Sequence, residues 1–233
     1  RYQHGDTDFT RLLERILEVE GDFRIRISSI EPDHFSDHFH ALFAHPKLNP
    51  HLHLCLQSGS DRILMQMRRM YTVGSYMKII ETFRKSHPDF NFTTDIIVGF
   101  PGETGKDFQE TCQIAKEVGF SHIHTFRYSV RNGTRAARMS GQVPSSIMSE
   151  RSEIIRSISD ENELLYFRSM QAKSQRVLLE NPDKKGIPRG YGESYIPVKI
   201  PGSLKKRNQF TRVRLENIMA DSGQRYFEGS ELS

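Results

Sequence analysis

The sequence predicts an α/β protein in which a parallel sheet or barrel is followed by a small β barrel or sandwich. Helical and strand patterns alternate between residues 8 and 128, and such alternation is typical of a parallel sheet covered by helices. After residue 172, three segments of alternating apolar and polar residues are separated by turns that contain Gly and Pro, which is typical of antiparallel strands. An amphipathic segment at residues 145–171 is predicted to be the helix that connects the two parts.

Apolar spacing predicts the elements of the first part, with period-two alternation in the strands and i, i+3, i+4 spacing in the helices. Phe9, Leu12 and Ile16 recur at helical intervals, so residues 8–20 are predicted as a helix that ends at Gly21. Because no strand precedes this helix, we expect the chain to begin inside a larger α/β domain. The strands predicted after it are residue 23 to about 28, residues 52–56, one that begins at about residue 91, and residues 123–128. The helices predicted between them are residues 34–44, a short helix containing 63–67, residues 72–87, and one that ends at about residue 118.

The stretch FTTDIIVGFPGETGKDFQE at residues 92–110 predicts a strand, a tight turn and a helix. Residues 96–98 form a β-branched run that Gly99 ends, which is typical of a strand buried on both faces. Thr104, with Asp107 three residues later, predicts a capped helix start. Ligands of parallel α/β folds bind at the carboxyl ends of the strands, and glycine lets a backbone approach a ligand closely. A glycine-rich turn without a ligand is the equally weighted alternative.

Strand patterns and turn residues also divide the rest of the chain. The predicted strands of the last part are residues 175–180, 194–200 and 211–218, and residues 181–190 and 201–209 are predicted as exposed loops. The predicted domains are therefore residues 1–144, the connecting helix 145–171 and residues 172–233.

The formal net charge of the whole chain is +4. The basic residues are concentrated in its last part. Residues 1–171 contain 21 Lys and Arg against 22 Asp and Glu, whereas residues 172–233 contain 12 against 7. A basic module beside a neutral domain favours a polyanionic partner such as RNA. Neither an apolar run long enough for a membrane span nor a signal-peptide pattern near Arg1 is present. We therefore expect a cytoplasmic, monomeric protein without a membrane partner.

Cysteine and histidine patterns predict no metal site. Cys55 and Cys112 lie in apolar periodic segments, which is typical of buried small side chains rather than of a disulfide or a metal pair. No HExxH pattern and no cysteine partner accompanies the histidines, which favours hydrogen-bonded or surface roles for them. GxSxG and Walker sequences are also absent, so hydrolase and phosphoryl-transfer classes have no support. The histidines considered as ligands are His34, His38, His51 and His53.

Polar residues follow every predicted strand of the first part. Because the carboxyl ends of parallel strands meet at one edge of a sheet, we expect these side chains to converge on one pocket. Such a pocket suits a ligand that has both signs of charge and hydroxyl groups. A single residue of this kind is more often a solvated or paired loop residue, so the prediction depends on their number. The residues are Ser28, Ser29, Glu31, Gln57, Ser58, Ser60, Asp95, Gly99, Glu103, Arg127, Ser129 and Arg131.

A second set of residues predicts contact with RNA. Arg212 and Arg214 alternate along one predicted strand, and Tyr195 adjoins another that carries a lysine. Basic side chains with an aromatic ring on a small β barrel are a common RNA-binding arrangement. A surface that only keeps the protein soluble is the alternative. The predicted RNA-binding residues are Arg68, Arg69, Lys199, Lys205, Lys206, Arg207, Arg212 and Arg214.

Three long motifs resemble those of the radical S-adenosylmethionine methylthiotransferases. They are HLHLCLQSGSDRILMQMRRMYT at 51–72, TDIIVGFPGETGKDF at 94–108 and FRYSVRNGTRAA at 126–137, in the order and spacing of that family. Residues from about 170 to 233 resemble the TRAM domain of these enzymes. The resemblance covers essentially the whole chain. It implies a partial, open β/α barrel of the TIM type, followed by a small all-β TRAM barrel.

The resemblance also implies a binding site for S-adenosylmethionine at the strand ends. Four positions match a GxIxGxxxE pattern that borders the adenine: Asp95, where the pattern has Gly, with Ile97, Gly99 and Glu103. Four others match positions near the ribose or polar strand ends that face the cofactor: Gln57, Ser58, Glu31 and Arg127.

The activity implied by the resemblance is methylthiolation of a modified adenosine beside the anticodon of tRNA, with two 4Fe–4S clusters in the full-length enzyme. Residues 126–144 resemble the branch that acts on threonylcarbamoyladenosine. The isopentenyladenosine branch, the ribosomal-protein branch and a stand-alone RNA-binding module are alternatives. The family's CxxxCxxC motif is absent, so the chain is predicted to carry no catalytic residue and no cluster ligand, and to be inactive by itself.

Overall fold

The computed structural model describes residues 2–32 and 35–232. Its first part contains β1 (Gln3–His4), β2 (Thr7–Asp8), α1 (Phe9–Leu17), β3 (Ile25–Ile30), α2 (Asp37–Ala41), a 3-10 turn (Leu42–Ala44), β4 (Leu48–Leu54), α3 (Asp61–Gln66), α4 (Val73–Ser86), β5 (Asn91–Val98), α5 (Gly105–Val118), β6 (His122–Arg127) and a 3-10 turn (Ala136–Arg138). Its second part contains α6 (Ser145–Met170), β7 (Ser174–Leu179), β8 (Arg189–Tyr191), β9 (Pro197–Lys199), β10 (Phe210–Asp221) and β11 (Gln224–Glu231). No helix of the described residues is long and apolar enough to cross a membrane.

A four-stranded parallel sheet with the order β3-β4-β5-β6 forms the centre of the first part. Leu52 and Leu54 of β4, with Ile96 and Val98 of β5, point to one face, where helices cover them and leave each at 0% exposure. Burying one such side chain contributes about 1.5–3 kcal/mol, so this layer supplies much of the stability. The predicted alternation of strands and helices is confirmed, and the opposite face of the sheet borders a cleft.

The start of the chain differs from the prediction. A two-stranded antiparallel hairpin, β1–β2, precedes the first helix, so the expectation that the chain begins on a helix was wrong. Helix α1 begins after Asp8, whose side chain accepts a hydrogen bond from the N–H of Arg11. It ends at Leu17 rather than at residue 20. These two-residue strands carry too little alternation for a sequence pattern to show them.

Helix α6 connects the two parts of the chain and contributes to both cores. Ile155 and Ile158, in its middle, pack in the core of the sheet region. Phe167 and Met170, at its end, belong to the core of the barrel. The ring of Phe167 stacks on that of Phe227, with centroids 5.1 Å apart. Because one helix enters both cores, the sheet and the barrel are tied by packing as well as by the chain.

The last part is a closed barrel of five strands with the order β10-β11-β9-β8-β7. The sequence did not reveal two of these strands, since β8 lies partly in the predicted loop 181–190 and β11 was not predicted. The predicted strand at 194–200 is reduced to Pro197–Lys199. In β8, a Cβ on Gly190 would lie 1.9 Å from the carbonyl oxygen of Leu178. Only glycine therefore allows this pairing, and the residue that suggested a loop is required by the strand.

Candidate functional site

The turn that follows β5 lies at the carboxyl edge of the sheet, where the sequence predicts a ligand. Gly99 and Gly102 have φ values of 76° and 83°, which side chains with a Cβ rarely adopt. A Cβ on Gly99 would also lie 2.2 Å from Cγ of Met148 in α6. The turn therefore requires glycine for its conformation and for the close approach of α6.

A buried ion pair holds this turn in place. The backbone N–H of Gly99 donates to Oε2 of Glu103 at 2.5 Å. The same carboxylate oxygen lies 2.5 Å from Nη1 of Arg151, and the two side chains are 1% and 10% exposed. Burial raises the pKa of Glu103, while the Gly99 N–H and Arg151 oppose that shift. Glu103, a predicted cofactor-binding residue, therefore lies behind the turn and can affect a ligand only through the shape of the turn.

The turn after β4 is closed by hydrogen bonds to its neighbours. Gln57 has a φ of 64°, and its N–H donates to the carbonyl of Asp95 at 2.8 Å while its own carbonyl accepts from Ile97 at 2.9 Å. The hydroxyl of Ser58 is buried and lies 3.4 Å from that of Thr111 in α5. Gln57 thus adjoins the predicted ligand edge. The Ser58 side chain is directed toward Thr111 of α5, and its contact with a ribose stays a prediction.

Two other predicted cofactor residues have partners at the protein surface. Glu31 accepts from Nη1 of Arg69 at 2.5 Å, so a predicted cofactor residue and a predicted RNA-binding residue form a pair with each other. Arg127 donates to the hydroxyl of Ser149 in α6 at 2.9 Å. Arg68, which follows α3, is exposed. These contacts weaken the ligand roles of Glu31 and Arg69, because each charge is already partly compensated.

The open face of the sheet, here called the inner face, is polar. It borders a cleft of about 950 Å³ that the tyrosines Tyr191 and Tyr195 of the barrel also line. The polar side chains that reach this cleft from the strands include Arg26, Ser28, His51, His53, Thr93, Asp95, His122 and His124. Their even spacing follows from the period-two geometry of strands, in which alternate residues share a face. This pattern is present in the sequence as H-x-H-x-C at residues 51–55 and H-x-H at residues 122–124. His51 and His53 were considered there as metal ligands, but Cys55 was not considered with them.

One cluster on the inner face contradicts an argument made from the sequence. Nε2 of His53 lies 3.2 Å from Oδ1 of Asp95, and the thiol of Cys55 donates to Oδ2 of that carboxylate at 3.9 Å. The argument that no cysteine accompanies the histidines was therefore wrong for His53. Burial lowers the pKa of His53, against the opposing effect of Asp95, and burial raises the pKa of Cys55 to about 11.

The other histidines considered as ligands and the second cysteine lie outside this cluster. His38 lies 2.6 Å from Oε1 of Glu14, and His51 is 1% exposed and packs on Tyr195. His34 lies outside the described residues. Cys112 is half-buried rather than buried as predicted, and both cysteines are free thiols.

The predicted RNA-binding residues of the barrel separate into two groups. Nζ of Lys199 lies 3.0 Å from Oδ2 of Asp183 and over the ring of Tyr226, and its side chain is 17% exposed. Its charge is thus already paired within the barrel, and its contact with RNA stays a prediction. The others are exposed, although Nζ of Lys205 donates to Thr211. Because β10 alternates, its two arginines lie on one outer face. The exposed group comprises Lys205, Lys206, Arg207, Arg212 and Arg214.

Comparison with known proteins finds one family model for the first part of the chain and relatives that align with most of its length. Residues 4–115 match the family model described as the radical SAM superfamily. The threonylcarbamoyladenosine tRNA methylthiotransferase MtaB of Thermotoga maritima is 39% identical over 213 residues, which cover 91% of this chain and 49% of that protein. A tRNA-2-methylthio-N(6)-dimethylallyladenosine synthase of Vibrio parahaemolyticus is 38% identical over 217 residues, with 92% and 46% covered. The chain thus spans about half the length of the curated relatives it matches.

Among solved structures, coproporphyrinogen III oxidase of Escherichia coli, a radical SAM enzyme, superimposes with a TM-score of 0.52 at 14% identity. The alignment covers 89% of this chain and 50% of that one. At this identity the likeness concerns the fold alone. It supports the predicted fold class, a partial β/α barrel followed by a small β barrel.

Proposed function

This chain belongs to the radical SAM superfamily, and from that premise we propose that it is part of a transferase that methylthiolates a modified adenosine of tRNA. The observation that supports this best is the extent of the similarity. The alignments with relatives named as tRNA methylthiotransferases cover more than nine-tenths of the chain, and therefore include the barrel as well as the sheet. We also propose residues 1–144, 145–171 and 172–233 as its domains, with a TRAM domain in the last.

The carboxyl edge of the sheet is the proposed binding site for S-adenosylmethionine. The Tyr128 hydroxyl is buried and has no hydrogen-bond partner among the described residues, and its ring packs 5.5 Å from that of Phe100 in the turn. A buried polar group without a partner is expected to be satisfied by water or a ligand. The glycines of the turn and the backbone near Gln57 and Ile97 fit such a ligand. When bound, S-adenosylmethionine would supply the radical and the methyl group.

The cysteines of this chain do not fit a 4Fe–4S cluster. Such clusters are held by several thiolates in one place, whereas Cys55 directly follows β4 and Cys112 lies on α5. We therefore assign no cluster ligand and no catalytic step to these residues.

The exposed basic residues of the barrel are the proposed contact with tRNA. Arg212 and Arg214 lie side by side on the outer face of β10, next to the basic loop at residues 205–207. Exposed cations can neutralise the phosphates of RNA and release the counterions bound there, so their contribution to binding decreases as salt is added. The anticodon stem-loop is the proposed binding element, and threonylcarbamoyladenosine is the proposed base. The relative with the isopentenyl-type name is nearly as similar, so that base is the alternative.

Binding to anticodon stem-loops across a salt series tests this proposal. The chain should bind a stem-loop that carries threonylcarbamoyladenosine more tightly than one that carries isopentenyladenosine. Neutralising Lys206, Arg207, Arg212 and Arg214 together should reduce the salt slope by about one for every phosphate that the protein no longer neutralises. Neutralising Lys184 and Lys185, exposed basic residues of another barrel loop, is the matched control. Equal slopes in both variants would contradict the proposed RNA surface.

A further inference from the structure

We propose that His53, Cys55 and Asp95 form a binding site for a divalent transition-metal ion, of the Zn²⁺ or Co²⁺ kind, on the inner face of the sheet. One ligand atom from each residue, an imidazole nitrogen, the thiol sulfur and a carboxylate oxygen, can be chosen so that all three lie within 4.8 Å of one another. The site shares Asp95 with the residues predicted to bind S-adenosylmethionine, and it shares no residue with the proposed RNA surface.

The two central strands bring the three residues together. His53 pairs in register with Thr93 of the parallel strand β5. Asp95 lies two residues beyond Thr93, so the side chains of His53, Thr93 and Asp95 share the inner face. Cys55 is the first residue after β4, and its thiol contacts the Asp95 carboxylate. Sites built on strands of a packed sheet hold their geometry better than sites on loops. The cluster is therefore a fixed feature of the sheet.

The distances fit a tetrahedral ion. Zn–N and Zn–O bonds of about 2.0–2.2 Å and a Zn–S bond of about 2.3 Å place neighbouring ligand atoms about 3.3–3.7 Å apart. The observed separations from Asp95 are 3.2 Å to His53 and 3.9 Å to Cys55. These two separations run to the two different oxygens of the carboxylate, and the chosen ligand atoms all lie within 4.8 Å of one another, so side-chain rotations would bring them to an ion.

A neighbouring hydroxyl orients the imidazole for this role. Nδ1 of His53 lies 3.0 Å from Oγ1 of Thr93, so the Nδ1–H can donate there and leave the lone pair of Nε2 directed at Asp95. Metal-binding histidines usually donate their second N–H in this way, which fixes the ring and the tautomer. The Thr93 hydroxyl can in turn donate to Nε2 of His51, 3.3 Å away.

The ligand set selects the class of metal. Thiolate and imidazole suit Zn²⁺ and its spectroscopic substitute Co²⁺, whereas Mg²⁺ and Ca²⁺ prefer oxygen ligands alone. Three protein ligands leave a fourth position, and His53 and Asp95 line the cleft of about 950 Å³. The site is thus of the open kind, in which water or a donor atom of another molecule completes the coordination.

Titration of the metal-free chain with Co²⁺ tests the proposal, because a thiolate bound to Co²⁺ gives a charge-transfer absorption band in the near ultraviolet. We expect a saturable band with one Co²⁺ per chain that an equivalent of Zn²⁺ removes. Cys55→Ser should abolish the band, and His53→Ala and Asp95→Asn should each weaken Co²⁺ binding at least about tenfold. Cys112→Ser, which removes the other thiol, is the matched control and should keep the band.

Several outcomes would contradict the proposed metal site. They are a wild-type chain that shows no band at millimolar Co²⁺, a band that survives in Cys55→Ser, and a band that disappears in Cys112→Ser. Circular dichroism of each variant shows whether it is folded. If Cys55→Ser does not fold, the His53→Ala and Asp95→Asn titrations decide the question. Neither tRNA nor S-adenosylmethionine is present, so a negative result leaves the proposed transferase function untouched.

Discussion

Two polar regions adjoin strand β5, and they differ in how completely the protein satisfies them. In the turn after the strand, the carboxylate of Glu103 is paired with Arg151 and with the N–H of Gly99. Around the cleft, the His51 Nδ1, Asn91 Oδ1 and Thr125 Oγ1 atoms are buried without a hydrogen-bond partner among the described residues. Native structures leave few such groups unsatisfied, so water or a ligand is expected beside the second region. The Glu103 side chain is therefore part of the scaffold that shapes the turn, whereas the inner face keeps polar groups that a ligand can satisfy.

The same comparison explains why some predicted site residues are not available to a ligand. Glu103 and Ser58 lie at the ligand edge in sequence, but their side chains are directed into the protein. Asp95 was predicted from the same pattern, and its side chain faces the cleft. A polar residue near a strand end thus supports either the scaffold or the site, depending on which face it occupies.

The largest effect is expected from Arg151→Met. It would leave the buried carboxylate of Glu103 without its partner, which costs about 3–5 kcal/mol of unfolding free energy for a buried pair. Urea denaturation measures this loss. Arg69→Met is the matched control, because its pair with Glu31 is more exposed and should cost less than about 1 kcal/mol. Similar losses in the two variants would refute the scaffold role of the turn.

Gly99→Ala should lower the free energy of unfolding by about 1–3 kcal/mol. The reasons are that the φ of 76° at this position is unfavourable for alanine and that the new Cβ would clash with Met148. Combining it with Met148→Ala should restore part of the loss, since the clash is removed while the backbone strain remains. Gly105→Ala, at a helix start where a Cβ meets nothing within 4 Å, should be neutral or stabilising. Thermal denaturation of the four proteins gives the comparison.

Asp107→Asn should lower the free energy of unfolding by about 0.5–2 kcal/mol, because Asp107 is the third helical residue of the α5 capping box and its carboxylate accepts from the N–H of Thr104. Burial acts to raise the pKa of Asp107, but hydrogen bonds from Arg62, Thr104 and Ser60 outweigh it and hold the pKa well below its usual range. A carboxyl group with a lowered folded pKa stabilises the protein above its unfolded pKa of about 3.8, and that contribution is lost as the pH falls below it. The free energy of unfolding, measured by urea denaturation, should decrease less between pH 5 and pH 3 for the variant than for the wild type. An unchanged decrease would mean that Asp107 does not contribute to the acid sensitivity.

Asp95→Asn should have the smallest effect on stability, less than about 1 kcal/mol, because its side chain borders an open cleft and is 26% exposed. The same variant is expected to weaken metal binding, so it separates stability from binding. A loss of several kcal/mol in urea denaturation would show instead that the inner face is scaffold like the turn.

Features that depend on nearby residues could be predicted from the sequence. Thr104 and Asp107 form the predicted capping box of α5, in which each side chain bonds the backbone of the other residue. The β-branched run before Gly99 is the predicted central strand. By contrast, β8 has only three residues, and the eight residues of β11 include only two apolar side chains, the adjacent Tyr226 and Phe227, so neither strand shows an alternating pattern.

The sequence by itself determined the α/β class, the glycine turn and the basic surplus of the barrel, because these follow from local spacing and composition. Only the tertiary structure decided which charges remain available. Arg151 reaches Glu103 across 48 residues, and His53 reaches Asp95 across 42. Lys199, a predicted RNA-binding residue, likewise forms an ion pair with Asp183. Sheet register and helix packing set these distances, and a linear pattern contains neither.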